Sequence, residues 1–221
     1  MADADRPRRA PAHDGLFIVG LVGRTGSGKS TAARALAADG AAVIEADLVG
    51  HEVTDRDPEV RAALEREYGG DVYLPDGRLD RARVAARVFA DPDARARLDG
   101  LVHPRLTARV AERLEALRAS GFRGVVVLDA ALLLEWGYER ACDAVIAVAA
   151  PEREQVLRLA RLRGWSGDEA RTRLAAQRSD ADFRRAADVT LENAGTPEEL
   201  AAAARAAVAR LRAARAAERG R

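Results

Sequence analysis

The chain has 221 residues, 48% apolar and 32% charged, with a formal net charge of +1. That length suits one well-cored domain with room for an insertion, and the near-neutral balance excludes an overall field that would draw nucleic acid or a membrane surface. A single cysteine, Cys142, excludes an intramolecular disulfide and a multi-cysteine metal site, and no apolar run nears the roughly 20 residues of a membrane span.

Residues 1–15 are rich in Pro, Arg and Asp and lack an apolar h-region, so a disordered leader is expected there rather than a secretion signal, with the cytoplasm as the location. Leu16 to Val22 is continuously apolar, the character of a buried parallel strand. It runs into Gly23-Arg24-Thr25-Gly26-Ser27-Gly28-Lys29-Ser30, the phosphate-binding pattern G-x-x-x-x-G-K-[S/T]. Lys29 is the only lysine among 36 basic residues. A compact ammonium has survived in an arginine-rich chain at the one position where a wider planar guanidinium cannot slip between phosphates.

An alanine-rich helix is expected from Ser30 to Asp39, stopped by Gly40. Glycines at 23, 26 and 28 let successive N–H groups turn inward as an anion nest, and the helix start adds its positive end. This pattern assigns Gly26, Ser27, Gly28, Lys29, Ser30 and Thr31 to a nucleoside triphosphate. Lys29 reaches the β- and γ-phosphates, the Ser30 hydroxyl serves Mg2+, and Thr31 donates to the α-phosphate.

Ala41 to Ile44 is the second strand candidate, ending at Glu45-Ala46-Asp47. From about Leu48 to Ser120 only helical patterning is visible, with Val102, Leu106, Val110 and Leu114 forming one apolar stripe and Val84 and Val88 belonging to another. Gly69-Gly70 and Asp76-Gly77 mark turns. Residues 48–120 are therefore expected to be an inserted helical subdomain, the usual seat of an acceptor substrate in phosphoryl transfer. His103-Pro104, taken alone, is a helix start.

Further strands are expected at Val125–Leu128, at Ala144–Ala149 before Pro151, and at Val189–Leu191 before Glu192-Asn193. Pro197 to about Ala217 is a helix with Leu200, Ala204, Val208 and Leu211 near one face, closing the side of the sheet. The fold class is thus α/β: a P-loop NTPase with an open parallel five-stranded sheet flanked by helices, one domain over 16–221 with a helical insertion.

Two aspartates follow strands at the edge where open α/β sheets place their sites. Asp129 has the form of a Walker-B acid that holds Mg2+, and Asp47 is placed to orient an acceptor hydroxyl and take its proton; the alternative for each is a helix N-cap. Arg158, Arg161 and Arg163 precede Gly164-Trp165-Ser166-Gly167 and suit a lid over about 158–180 that closes on the nucleotide, or else a solvated helix face. A guanine-specific Asn/Thr-Lys-x-Asp motif is excluded, because Lys29 is the only lysine. Size, lid and insertion favour a small-molecule kinase.

These features together resemble the dephospho-CoA kinase family. The strand and loop over Ile18–Thr31 and the Ile44-Glu45-Ala46-Asp47 element match its opening. Asp76-Gly77-Arg78-Leu79-Asp80-Arg81, Leu98 to Pro104, Asp129 to Glu135, Arg158, Ala175-Ala176-Gln177 and Ala187 to Asn193 continue it, so the likeness covers about residues 16–200. The resemblance implies ATP- and Mg2+-dependent phosphorylation of the ribose 3′-hydroxyl of dephospho-CoA. It makes Asp47 the base, Arg158 the lid arginine, Arg81 and His103 part of the CoA-binding region, and Asn193 part of the adenine pocket. A cytoplasmic monomer acting on a small molecule, without nucleic acid or membrane, is expected. Another small nucleoside or nucleotide kinase, or a non-catalytic ATP-binding protein, is the alternative.

The chain also departs from the family pattern. Arg24 stands where glycine is usual, Glu45 replaces the first aspartate of I-D-A-D, and Ala131 replaces a common proline. Leu162 aligns with the second lid arginine, leaving Arg161 or Arg163 to serve. Arg178-Ser179 replaces Met-Pro, and Arg184 supplies a basic residue expected near Phe183.

Overall fold

A computed structural model describes residues 15–91 and 93–219, so the expected 1–15 leader, Gly15 apart, lies outside the described residues. Five strands, β1 (Leu16–Val22), β2 (Ala42–Glu45), β3 (Gly124–Asp129), β4 (Ala144–Ala149) and β5 (Val189–Glu192), form one sheet in the order β2-β3-β1-β4-β5. β1 pairs in parallel with β3 and with β4, and β4 with β5. All seven residues of β1 are buried, which is why its sequence shows no alternation.

One face of the sheet, through Phe17, Val19, Leu21, Ile146 and Val148, joins a core with Ala32, Ala33 and Leu36 of α1 (Lys29–Ala38) and Leu200, Ala204 and Val208 of α9 (Pro197–Arg219). The opposite face, through Ile18, Val126, Leu128 and Val145, is equally buried. Gly20 lies on that face against Leu133 and Cys142. A Cβ there would sit 2.5 Å from Leu133 Cδ2, so the position admits no side chain without repacking.

Parallel strands bring their carboxyl ends to one edge. Leu21 stands opposite Asp129 on one side and Ile146 on the other, so the segment after Val22 emerges between the ends of β3 and β4. α6 (Glu152–Arg163), α7 (Gly167–Ala175) and α8 (Asp180–Ala186) connect β4 to β5.

The described chain divides into two compact units: the sheet with these helices, and Glu45–Leu117. The second unit contains α2 (Ala46–Arg56), α3 (Pro58–Tyr68), α4 (Arg81–Ala90) and most of α5 (Ala94–Ala119). Its own core includes Val53, Val60, Leu64, Tyr68, Leu79 and Val84. Asp57 and Asp80 cap α3 and α4 with their side chains. The Tyr68 hydroxyl donates to the Ala94 carbonyl at 2.6 Å, and the Tyr73 hydroxyl to the Thr54 carbonyl at 2.8 Å. No described helix is long and apolar enough to cross a membrane.

Two expectations are corrected. β2 runs straight into α2 at Ala46, so Asp47 lies in the first turn of that helix, and the N-cap position offered as its alternative belongs to Glu45. His103-Pro104 is not a helix start: Pro104 lies inside the 26-residue α5. The apolar stripe explains this, because Leu106, Val110 and Leu114 are all buried and their burial outweighs the roughly 3 kcal/mol cost of an interior proline. The Thr107 hydroxyl donates to the carbonyls of His103 and Pro104 at 3.0 and 2.9 Å.

Leu21 is fully buried two residues before the glycine loop. Leu21→Ala is expected to lower unfolding stability by about 2–5 kcal/mol, read as a lower urea midpoint with an unchanged slope.

Candidate active site

The loop after β1 is built by glycines in conformations that other residues avoid. Gly23 has φ 143 and approaches β4 so closely that a Cβ would lie 2.2 Å from the Val148 carbonyl oxygen. Gly28 has φ 110, and its Cβ would lie 2.3 Å from Asn193 Nδ2. Both positions therefore exclude a side chain twice over, by dihedral and by space.

The outer side of the loop is held by polar side chains from distant segments. Asn193, buried just after β5, donates its Nδ2 to the Ser27 carbonyl at 2.7 Å. Arg158 of α6 donates to the carbonyls of Gly26 at 3.2 Å, Ser27 at 3.4 Å and Asn193 at 3.2 Å. In a planar trans peptide the carbonyl of one residue and the N–H of the next point to opposite sides. Fixing the Ser27 carbonyl against Asn193 and Arg158 therefore turns the Gly28 N–H the other way. The Ser27 N–H closes a turn on the Arg24 carbonyl at 3.1 Å.

α1 begins immediately afterwards. Its N-cap, Gly28, offers no side-chain hydrogen bond, and its first turn carries no acidic residue. By contrast, α3, α4, α7 and α8 are capped by Asp57, Asp80, Ser166 and Ser179, while α2 and α6 carry acids in the first turn. The N-terminus of α1 thus keeps its partial positive charge available to an anion. Lys29 Nζ donates to the Gly23 carbonyl at 2.9 Å, lying back along the loop. Ser30, second in the helix, is exposed, and Thr31 follows it, its N–H bonded to the Gly28 carbonyl at 2.9 Å. Asp129, the last residue of β3, is half-buried at the same edge of the sheet.

The departure at Arg24 is accommodated by an acid outside the loop. Its guanidinium lies 3.6 Å from Glu152 in the first turn of α6. Nearby, burial pushes the Asp180 carboxyl above the usual carboxylate range, opposed in part by the Arg24 and Arg184 charges. Arg184 itself pairs with Glu192. Arg158 belongs to the loop's outer wall, whereas Arg161 and Arg163 are exposed, with no hydrogen-bond or ion-pair partner among the described residues.

In the unit Glu45–Leu117, Asp47 is exposed on the first turn of α2, also with no such partner among the described residues. Arg81 is engaged: it donates to Thr54 Oγ1 at 3.0 Å, Asp55 Oδ1 at 3.1 Å and the Leu79 carbonyl at 3.3 Å. His103 Nε2 faces Asp99 Oδ1 at 3.4 Å, one turn away on α5.

Sequence reasoning gave Gln177 no role of its own. Its side chain accepts from the Thr25 N–H at 2.9 Å and donates to the Thr25 hydroxyl at 2.9 Å, across 152 residues. No local spacing signals such a contact, although Gln177 falls within the stretch that carries the family resemblance.

A family model described as dephospho-CoA kinase matches residues 17–199. The chain is 44% identical over 186 residues to a dephospho-CoA kinase of Thermobifida fusca, covering 84% of this chain and 91% of that one. It is 41% identical to a dephospho-CoA kinase of Anaeromyxobacter dehalogenans, covering 89% and 93%. A crystal structure from Thermus thermophilus superposes with a TM-score of 0.76 at 34% identity, covering 89% of this chain and 98% of that one.

Gly28→Ala forces a side chain into a positive φ and against Asn193. It is expected to weaken ATP binding by at least about tenfold, measured by calorimetry.

Proposed function

The chain belongs to the dephospho-CoA kinase family, and from that premise we propose how its own residues divide the work of phosphorylating dephospho-CoA with ATP. The observation that carries the proposal is the uncapped, acid-free start of α1 behind a loop whose outer carbonyls are already satisfied. Backbone N–H groups of Gly26, Gly28, Lys29 and Ser30 receive the phosphates, those of Ser27 and Thr31 being engaged within the protein, so the loop is preorganised at the moment of reaction. Lys29 leaves the Gly23 carbonyl to lie against the β- and γ-phosphates, where its charge offsets what accumulates on the leaving oxygen.

Asp47 is the acceptor base. An exposed carboxylate with no partner among the described residues can take a hydrogen bond from the ribose 3′-hydroxyl. That oxygen forms a bond to the γ-phosphorus as the bond to the β-phosphate oxygen breaks, its proton passes to Asp47, and ADP leaves. Arg158, which also supports the loop from outside, is the lid arginine, Arg161 or Arg163 serves as the second, and Asn193 borders the adenine side. Arg81 and His103 serve the acceptor. Arg81 is anchored on Asp55, eight residues after Asp47 and so about 12 Å along the helix, a spacing that suits an extended substrate.

Ser30 and Asp129 offer a hydroxyl and a carboxylate, hard oxygens that fit Mg2+. When bound, the ion neutralises charge on the β- and γ-phosphate oxygens. Among the described residues no group of three or more His, Cys, Asp or Glu side chains is placed to hold a metal. The triphosphate and water would therefore supply the remaining ligands, as is usual for this ion. The reading is of a cytoplasmic monomer.

Incubation with ATP, Mg2+ and dephospho-CoA is expected to give a product heavier by one phosphate, detected by mass spectrometry. A nucleoside phosphorylated instead would overturn the assignment. Asp47→Asn is expected to bind ATP normally and to lose about 10²- to 10⁴-fold in kcat. Full turnover in that variant would remove Asp47 as the base.

A further inference from the structure

The contact between Gln177 and Thr25 joins the turn after α7 to the phosphate loop at a point that controls loop geometry. Gln177 Oε1 accepts from the Thr25 N–H at 2.9 Å, and Gln177 Nε2 donates to the Thr25 hydroxyl at 2.9 Å and to the Arg173 carbonyl at 3.4 Å. One amide thus reads both the backbone and the side chain of Thr25, while its own orientation is fixed from α7.

The consequence follows from the same planar-peptide rule that applies at Ser27. Drawing the Thr25 N–H toward Gln177 turns the Arg24 carbonyl to the opposite side of its peptide plane. That carbonyl accepts the Ser27 N–H at 3.1 Å, closing the turn from which Gly26 and Ser27 present their own carbonyls to Arg158. Arg158 and Asn193 hold the second half of the loop, and Gln177 holds the first. Without Gln177 the Arg24–Thr25 peptide has no side-chain anchor and can flip, taking the Arg24–Ser27 turn with it.

The next residue extends this connection. Arg178 pairs with Glu135 at 2.9 Å, in the segment that follows Asp129. The turn between α7 and α8 therefore touches the phosphate loop through one residue and the segment after β3 through the next.

We propose that Gln177 is a positioning residue for the phosphate loop: through Thr25 it sets the Arg24–Ser27 turn, making the α7–α8 turn part of the ATP site. This rests on the reading that the Lys29 loop binds ATP. It goes beyond that reading in assigning Gln177, whose amide is engaged with Thr25 and the Arg173 carbonyl, a share of ATP affinity.

The test is a double-mutant cycle on the full chain with Gln177→Leu, Thr25→Val and the pair. ATP affinity is measured by calorimetry, KM for each substrate by steady-state assay, and stability by thermal melting. Gln177→Leu is expected to raise the ATP dissociation constant and KM about tenfold, the worth of two hydrogen bonds, and to leave KM for dephospho-CoA unchanged. Thr25→Val is expected to weaken ATP binding a few-fold in the parent and to have no further effect once Gln177 is gone. Parental ATP affinity in Gln177→Leu, strictly additive effects, or equal loss for both substrates would each overturn the proposal. If Gln177→Leu does not fold, Thr25→Val with unchanged ATP affinity is the overturning result. A parent chain that fails to bind ATP overturns the functional reading itself rather than the role of Gln177.

Discussion

A peptide plane has two polar ends, and fixing one outward turns the other inward. The whole of the phosphate site depends on that constraint. A loop that aims N–H groups at an anion must direct carbonyls at the protein behind it, and those carbonyls need donors. Asn193 and Arg158 supply them at Gly26 and Ser27, and β4 and β5 bring the Val148 carbonyl and Asn193 so near that Gly23 and Gly28 cannot carry side chains. The sheet order serves the same end: with β4 beside β1 and β5 beside β4, the loop emerges next to the strand ends that supply these contacts.

Lysine and arginine are used in this chain for different physical tasks. Arginine's planar fork suits several fixed acceptors at once. Arg158 holds three backbone carbonyls, and Arg61 holds those of Asp55 and Gly77 while lying 3.8 Å over the Tyr73 ring. Many other arginines form exposed ion pairs, such as Arg109 with Glu112, which contribute little individually. The one lysine donates to a loop carbonyl and, on the proposed reading, must leave it for a ligand. A compact ammonium on a flexible stem makes that exchange; a rigid fork does not.

Much of the fold was legible because its signals are local. β1 and β4 are continuous apolar runs buried on both faces, and α9 shows its core face at i, i+4 and i+8 through Leu200, Ala204 and Val208. The glycine loop announced itself by spacing alone. Where two local signals competed, the reading failed. Proline at 104 suggested a helix start, yet the apolar stripe continues through it, and nothing between Glu45 and Ala46 marks the change from strand to helix. What no local pattern carries is the outer wall of the loop. Its contacts join residues 131 to 166 apart, so Arg158 was legible as a basic residue beside a turn but not as a ligand of loop carbonyls, and Gln177 had no signal of its own.

The central claim is that the loop recognises a triphosphate by shape as well as charge, and Lys29 isolates the two. Lys29→Arg keeps the charge and changes only the form of the donor. Turnover of ATP and dephospho-CoA by this variant is the most direct measurement, with melting temperature as the control for folding. The account predicts a folded protein whose kcat falls by at least about a hundredfold. A folded Lys29→Arg enzyme that turns over at the parental rate would contradict it.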